Sequence, residues 1–201
     1  PLYSYDTSKA CQQLVSLSYA RNYGLPVKII CCGNTYGPGD SNLTRIIPKT
    51  ITRFSKDQSA ILYKGSENHI REFIYIEDVV DALITLAGKG RNGEVYCCGE
   101  TGQLRIGDLL EEICVMMGKD PQKDIELVEK PPHFKEIEEQ YLDASKLRSL
   151  GWAPKTSLKD GLRKSIEYYT KSAANKKKEV VIKGSNAIND ERGSINNYIL
   201  S

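Results

Sequence analysis

Short apolar runs rich in β-branched residues alternate along this chain with longer segments of helical periodicity. The clearest runs are residues 26–32 (PVKIICC) and 94–98 (EVYCC), and each is followed at once by a glycine. A strand buried on both faces reads as a continuous apolar run, and parallel strands are joined by crossover helices. The alternation therefore predicts an α/β fold with a largely parallel sheet.

The same patterns set the expected bounds of the elements. Glu77 and Asp78 are expected to open a helix rather than to act as an acid/base pair, because acidic residues suit a helix N-terminus. Residues 33–42 (GNTYGPGDSN) predict a loop with a tight turn, and Trp152 is expected in the core. Helices are predicted at residues 2–23, 43–54, 77–87, 105–117, 145–150 and 158–169, and strands at 26–32, 61–63, 70–75, 94–98 and 125–128.

Three regions differ in character. Residues 1–170 form the alternating unit, and 171–180 are polar and rich in lysine, which predicts a linker. Apolar runs resume in residues 181–201, which are too few for a core of their own and are expected to begin a second domain. Because the chain begins with Pro1 rather than methionine, we expect further sequence before it.

Composition excludes several classes of function. The 201 residues carry a formal net charge of +2, so bulk charge does not predict nucleic-acid binding. No apolar run approaches the roughly 18 residues of a membrane span. The six cysteines include two adjacent pairs without a C-x-x-C, and only two histidines are present, so no metal site is expected. Reduced thiols of a cytoplasmic protein are the simplest interpretation.

The segment YSYDTSKA, residues 3–10, places Tyr5 and Lys9 four residues apart on a predicted helix. This spacing puts both side chains on one face, one turn apart. A phenol is a weak base at neutral pH, with a reference pKa of about 10, and a nearby ammonium stabilises the phenolate. Such a pair can exchange a proton with a substrate hydroxyl. The spacing alone is common on helices, so further motifs must support the interpretation.

Those motifs follow in order: the strand at 26–32, GNTYGPGD, RIIP, HIREFIYIEDVVDA, GEVYCCG, QYLDASKL and LGWAPKTSLKDGL. In this order the first 170 residues resemble the extended short-chain dehydrogenases of the NAD-dependent epimerase/dehydratase family. They are most similar to the CDP-glucose 4,6-dehydratases among them. The resemblance implies the C-terminal part of an NAD(P)-binding Rossmann-like fold together with a small α/β substrate-binding domain.

The resemblance also implies roles for particular residues. Tyr5 would be the catalytic acid/base, and Lys9 would bind the nicotinamide ribose and favour the phenolate, with Cys32 also at the NAD or NADP site. The substrate would be a nucleotide sugar, and a homodimer is expected. The implied substrate-binding residues are Asn34, Arg45, Ile46, Tyr63, Arg71 and Gln140. Each also has a plainer interpretation: Asn34 could serve a turn, Arg71 could form a surface ion pair with Glu72 or Glu77, and Tyr63 could simply pack.

Some expected features differ or are absent. No G-x-x-G-x-x-G follows a strand, and in the family this turn precedes the Tyr-Lys pair, as do the acidic residues used for water elimination. Cys31 stands about where the family often has arginine. A second phosphate-binding arginine is usual near residues 130–133, where Lys130 or His133 would have to replace it.

Three functions remain open. The motifs favour a nucleotide-sugar 4,6-dehydratase that works through a 4-keto intermediate. The alternatives are a 4-epimerase of the same family and a non-catalytic module that binds a nucleotide sugar or pairs subunits. Residues 189–200 (NDERGSINNYIL) also resemble the opening of a cupin-type sugar epimerase domain, which would imply a fused protein.

Overall fold

We analysed the protein in a computed structural model, which describes residues 4–99, 102–132 and 136–186, with side chains described as far as residue 172. Within these ranges the chain alternates between helices and short strands. The helices are α1 Ser4–Tyr23, α2 Ile46–Phe54, α3 Ile76–Lys89, α4 Ile106–Met116, α5 Pro121–Asp124, α6 Ser145–Arg148 and α7 Leu158–Asn186. The strands are β1 Lys28–Cys32, β2 Asn34–Tyr36, β3 Ala60–Tyr63, β4 Ile70–Arg71, β5 Phe73–Tyr75, β6 Glu94–Cys98, β7 Leu104–Arg105, β8 Ile125–Val128 and β9 Glu139–Gln140.

Parallel pairing dominates the sheets, which confirms the predicted α/β class. Strand β1 pairs with β6 in register from Lys28 opposite Glu94 to Cys32 opposite Cys98. The pairs β2 with β5 and β3 with β8 are parallel as well. Strand β4 pairs with β9 in parallel and with β7 in antiparallel orientation. Crossover helices connect the parallel partners, as the alternation of the sequence requires.

Two hydrophobic clusters hold these layers together. The larger cluster joins α2, α4 and the start of α7 around the fully buried side chains of Ile51, Leu110 and Leu162. The smaller one packs α3 and α6 against β6 around Tyr96, Leu147 and Trp152. Trp152 is buried as predicted, and its Nε1 donates to the Asp78 carbonyl oxygen at 3.1 Å. Glu77 and Asp78 lie in the first turn of α3, also as predicted.

Several predicted bounds were wrong. Asn34–Tyr36, predicted as loop, forms β2, because pairing with β5 supplies hydrogen bonds that the local sequence does not reveal. The predicted strand 70–75 is two strands separated at Glu72. Helix α2 begins at Ile46 rather than at residue 43, after a turn in which Asn42 Oδ1 accepts from the Thr44 backbone N–H at 3.1 Å. The short elements α5, β7 and β9 were not predicted.

The range predicted as a linker lies within a helix. Helix α7 continues to Asn186 and therefore includes residues 171–180. Lysine and glutamate are good helix formers, and the range contains neither proline nor glycine, so helical structure is compatible with its composition. Residues 181–186 belong to the same helix, and residues 187–201 lie outside the described residues. The division into domains at 171–180 stays a prediction.

Strand β1 occupies the predicted place but is less buried than its apolar run suggests. Its residues are half-buried, apart from Cys32, which is exposed. Within the described residues β1 has a single strand neighbour, β6. Helix α1, which precedes it, has no buried residue among those described and exposes Leu14, Val15 and Tyr19.

Candidate functional site

A cavity of about 520 Å³ opens where β1 ends and β2 begins. This volume falls within the range of ordinary small-molecule sites. Ligands of parallel α/β sheets bind beyond the carboxyl ends of the strands, which is where this cavity lies. Its lining comes from α1, the β1–β2 junction, the turn before α2, α2 itself, β5 and β9: Tyr5, Cys32, Gly33, Asn34, Thr35, Tyr36, Asp40, Arg45, Ile46, Ile47, Pro48, Phe73 and Gln140.

Six of the nine predicted site residues share this cavity. They are Tyr5, Cys32, Asn34, Arg45, Ile46 and Gln140, which come from α1, β1, β2, the turn before α2, α2 and β9. Lys9, Tyr63 and Arg71 do not line it. The cavity therefore brings together most residues that the family resemblance implied, while their chemical roles stay predictions.

Tyr5 and Lys9 lie one turn apart on α1, as their spacing predicts. Tyr5 is 68% exposed, and the Lys9 Nζ lies 5.7 Å from the centre of its ring. The Lys9 ammonium also donates to Gln12 Oε1 at 3.3 Å. A phenol facing a cavity with an ammonium beside it is a donor set suited to hydroxyl groups of a sugar or a ribose. The assignment of these two residues and Cys32 to the ribose end of a nicotinamide cofactor stays a prediction.

Asn34 is held firmly at the cavity wall. Its backbone N–H donates to the Glu72 carbonyl oxygen at 3.1 Å, and its side-chain Nδ2 donates to the same oxygen at 2.9 Å. Asn34 therefore lies in strand β2 rather than in a turn, and its side-chain amide is bonded to Glu72, the residue before β5.

The turn before α2 contributes a charged pair. Arg45 Nη1 lies 3.1 Å from Asp40 Oδ2; the Arg45 side chain is 58% exposed and that of Asp40 only 15%. The Tyr169 hydroxyl donates to the carbonyl oxygens of Gly37 and Asp40 at 3.0 and 3.1 Å, which fixes the backbone of this turn. The turn so held presents a guanidinium at the cavity mouth, suited to an anion or a base edge.

Arg71 is committed elsewhere in this structure. Its Nη1 donates to the Ile70 carbonyl oxygen at 2.8 Å and to that of Glu138 at 3.3 Å, and its Nη2 donates to the Ile137 carbonyl oxygen. Burial lowers the pKa of Arg71, while the charge of Glu136 acts in the opposite direction. The expected surface ion pair with Glu72 or Glu77 is not among these contacts.

Tyr63 ends β3, where it pairs with Val128 of β8 and is half-buried. The region of the expected second phosphate ligand is partly described: Lys130 Nζ lies 3.4 Å from Glu136 Oε2, and His133 lies outside the described residues. Lys130 therefore has a carboxylate partner within the part of the chain that the structure describes.

Other lining residues were not predicted as site residues. Tyr36 and Phe73 meet edge to face with ring centres 6.4 Å apart, and burial raises the pKa of the Tyr36 hydroxyl. Asp40 is a polar lining residue that the sequence could have indicated, because it follows the Gly-Pro-Gly turn ahead of the Arg-Ile-Ile-Pro segment. Its pairing with Arg45 depends on how the turn folds, which the sequence does not display.

Neither a metal cluster nor a membrane span emerges from the described residues. No group of three or more His, Cys, Asp or Glu side chains in those ranges is arranged to hold a metal ion. None of the described helices is long and apolar enough to cross a bilayer. All six cysteines are free thiols.

The fold is the Rossmann fold of NAD-binding dehydratases and epimerases. A dTDP-glucose 4,6-dehydratase from Bacillus anthracis, solved in complex with NAD, superposes with a TM-score of 0.77 at 29% identity over 85% of this chain and 53% of that one. A UDP-glucose 4-epimerase from Thermotoga maritima, solved with UDP-glucose, superposes with a TM-score of 0.73 at 28% identity over 86% of this chain and 55% of that one.

Sequence comparison gives the family. The family model described as GDP-mannose 4,6 dehydratase matches residues 1–165, and the chain belongs to this family. Its match confirms the predicted kinship with the extended short-chain dehydrogenases.

A trifunctional UDP-glucose 4,6-dehydratase/UDP-4-keto-6-deoxy-D-glucose 3,5-epimerase/UDP-4-keto-L-rhamnose-reductase of Arabidopsis thaliana is 34% identical over 172 residues, which is 86% of this chain and 25% of the relative. The dTDP-glucose 4,6-dehydratase 1 of Escherichia coli is 33% identical over 178 residues, 84% of this chain and 48% of the relative. The chain thus spans half or less of these curated relatives.

Proposed function

We propose that this chain supplies the substrate side and the proton-transfer residue of an NAD(P)-dependent nucleotide-sugar 4,6-dehydratase. The observation that carries the proposal is the cavity that joins Tyr5 of α1 to Asn34, Arg45 and Gln140. It is supported by membership of a dehydratase family and by relatives whose names are those of dehydratases acting on dTDP-glucose and UDP-glucose.

In the proposed reaction Tyr5 removes the proton of the sugar 4-hydroxyl, so that a 4-keto sugar forms. Tyr5, Lys9 and Cys32 would hold the nicotinamide cofactor, whose chemistry would be reversible acceptance of the hydride from C4 of the sugar. The Lys9 ammonium, 5.7 Å from the centre of the Tyr5 ring, holds the ribose hydroxyls. Cys32, at the end of β1, contributes to the wall of the same cofactor site.

The remaining predicted residues would hold the nucleotide sugar. Asn34 faces the sugar next to the diphosphate, and Arg45 and Ile46, at the start of α2, line the nucleotide portion. Gln140 lies in the segment that closes over the substrate. Arg71 would contact the diphosphate with guanidinium hydrogens not used by the carbonyl oxygens of residues 70, 137 and 138, since guanidinium carries five donors in all. Tyr63 would pack near the base.

We propose CDP-glucose as the substrate. The support is the resemblance of the Tyr-Gly-Pro-Gly-Asp-x-Asn stretch, followed by Arg-x-Ile-Pro, to that branch of the family. Relatives named for dTDP-glucose and UDP-glucose make those sugars direct competitors. Incubating the full-length protein with equal amounts of the CDP, dTDP and UDP sugars identifies the base: the preferred substrate is the one first converted to a product lighter by one water.

The test of mechanism is Tyr5→Phe in the full-length protein, with Tyr168→Phe as the matched control. Both variants lose one hydroxyl from an exposed tyrosine, but only Tyr5 lines the cavity. A general acid/base contributes about 10² to 10⁴-fold to the rate, so Tyr5→Phe should lower kcat by that factor while nucleotide-sugar binding persists. Turnover within threefold of wild type would remove Tyr5 from the chemistry.

The alternatives give different outcomes in the same assay. A 4-epimerase would yield a product of unchanged mass that differs at C4 by NMR; its specific support is the Thermotoga maritima 4-epimerase among the structural neighbours. A non-catalytic module would bind a nucleotide sugar without converting it, and Tyr5→Phe would change nothing.

The quaternary and cellular parts of the proposal rest on other features. A homodimer is supported by the exposed Leu14, Val15 and Tyr19 of α1, whose apolar surface a second copy would cover. Leu14→Glu should then shift the full-length protein towards monomer in sedimentation velocity.

A cytoplasmic location is supported by the six free thiols. The fused second sugar-modifying domain is a further prediction, supported by the Arabidopsis relative, whose name joins a dehydratase and a 3,5-epimerase in one protein.

A further inference from the structure

A carboxylate lies buried beside the proposed substrate cavity without lining it. Glu72 separates β4 from β5 and is only 2% exposed. Its carbonyl oxygen accepts both hydrogen bonds of Asn34, and its Oε2 accepts from the Leu142 backbone N–H at 3.1 Å. One residue thus contacts the cavity-lining Asn34 through its main chain and the segment following Gln140 through its side chain.

The space for this carboxylate is created by two glycines that follow the paired strands β1 and β6. A Cβ atom at Gly99 would overlap the carboxylate of Glu72, and a Cβ at Gly33 would lie 3.4 Å from its Oε2. Only a residue without a side chain at position 99 leaves the carboxylate where it is. The two glycines therefore leave room for the carboxylate, and the Leu142 backbone N–H donates to it.

The segment reached by Glu72 is held at few other points. Gln140 ends β9, a strand of two residues whose only described strand partner is β4. Tyr141 is exposed and Leu142 half-buried, so little packing restrains the two residues that follow β9. A hydrogen bond from a backbone N–H to a charged acceptor is stronger than a neutral one and becomes a main restraint here.

We propose that Glu72 is a positioning residue: its buried carboxylate anchors residues 140–142 so that Gln140 stays over the cavity in which Asn34 lies. The inference rests on the proposed function in so far as the ligand is a nucleotide sugar. Glu72 does not touch that ligand and acts through Asn34 and Gln140. Loss of the anchor should therefore weaken substrate binding more than the chemical step.

The test uses three variants of the full-length holoenzyme. Glu72→Asp keeps the charge but withdraws it from Leu142 by one methylene. Gly99→Ala leaves Glu72 intact but places a Cβ atom where its carboxylate lies, so the carboxylate must move. This variant tests the anchor if replacement of Glu72 prevents folding. Glu77→Gln is the control. Glu77 is an exposed carboxylate on α3, and it pairs at 3.0 Å with Lys164 of α7.

The first readout is hydrogen exchange of the peptide containing Leu142. A lost hydrogen bond to a charged acceptor corresponds to about 10- to 100-fold faster exchange at that amide in Glu72→Asp and Gly99→Ala. Amides of β5 and α3 should keep their wild-type exchange rates, and Glu77→Gln should match wild type throughout. Unchanged exchange at Leu142 in both variants, or faster exchange spread evenly through β5 and α3, would overturn the proposal.

The second readout is steady-state kinetics with CDP-glucose, and with UDP-glucose in parallel. KM should rise about tenfold or more in both variants while kcat stays within about threefold, whereas a raised KM in Glu77→Gln or an equal fall in kcat would count against positioning. If wild type binds neither sugar by calorimetry, the proposed function fails, and the exchange of Leu142 still decides whether Glu72 anchors the segment.

Discussion

The carboxylate of Asp78 offers the sharpest test of how the core is assembled. Asp78 lies in the first turn of α3 and is 2% exposed. Its Oδ1 accepts from the Lys155 backbone N–H at 3.0 Å, and its Oδ2 accepts from that of Thr156 at 3.1 Å. The side chain thus ties the loop between α6 and α7 to the start of α3, beside the buried Trp152.

Asp78→Ala removes both bonds and leaves two backbone donors in a partly buried loop. Each hydrogen bond to a charged group contributes about 1.5–3 kcal/mol, so the free energy of unfolding should fall by about 3–6 kcal/mol. In a domain of this size that corresponds to a decrease in Tm of roughly 6–24 °C.

The assay is urea unfolding of the full-length protein, followed by fluorescence and far-UV circular dichroism, with Asp81→Ala as control. Asp81 lies on the same helix, and its carboxylate pairs at 2.6 Å with the side-chain Nζ of Lys155 rather than with a backbone N–H. Surface pairs of this kind contribute little. If Asp78→Ala lost no more stability than Asp81→Ala, the two backbone bonds would not be holding the loop.

Two further predictions follow from side-chain space and from thiol chemistry. Gly161→Ala should destabilise the protein although alanine favours helices, because the added Cβ would overlap the Tyr36 hydroxyl. Gly88→Ala, on α3 with open space around it, should instead raise the free energy of unfolding by up to about 1 kcal/mol. Thermal unfolding of both variants checks that the two effects have opposite signs. A hydrogen bond from Cys98 lowers the pKa of the Cys32 thiol, while partial loss of solvation of this otherwise exposed residue acts in the opposite direction. More Cys32 is therefore thiolate at neutral pH, and iodoacetamide should modify it readily. Cys98→Ala should move the pH midpoint of that alkylation upward and slow it at pH 7, as measured by peptide mass spectrometry; an unchanged midpoint would contradict the assigned cause.

The candidate site shows where sequence reasoning was sufficient. Tyr5 and Lys9 are neighbours on one helix, so a spacing of four residues already places them together. Cys32 and Asn34 lie on either side of Gly33 at a strand end, and Arg45 and Ile46 are adjacent at a helix start. Local order thus made these residues recognisable, and the cavity brings together Tyr5, Cys32, Asn34, Arg45 and Ile46, whereas Lys9 lies beside Tyr5 without lining it.

Arg71 and Glu72 show where sequence reasoning was not sufficient. Both belong to the HIREFIYIEDVVDA motif, and either side chain could have faced solvent, a ligand or the other. In the folded chain the guanidinium of Arg71 binds carbonyl oxygens of residues 137 and 138, and the carboxylate of Glu72 binds the Leu142 N–H. These partners are about 70 residues away in sequence, and no local pattern encodes such a distance.

By itself the sequence determined the α/β class, the order of the main helices and strands and the family to which the chain belongs, because hydrophobic periodicity and ordered motifs are local properties of a chain. The tertiary structure alone decided that β2 pairs with β5 and that Glu72 occupies a slot between Gly33 and Gly99. Those outcomes depend on hydrogen bonds and close contacts between segments far apart in the chain, whose energies exist only once the segments meet.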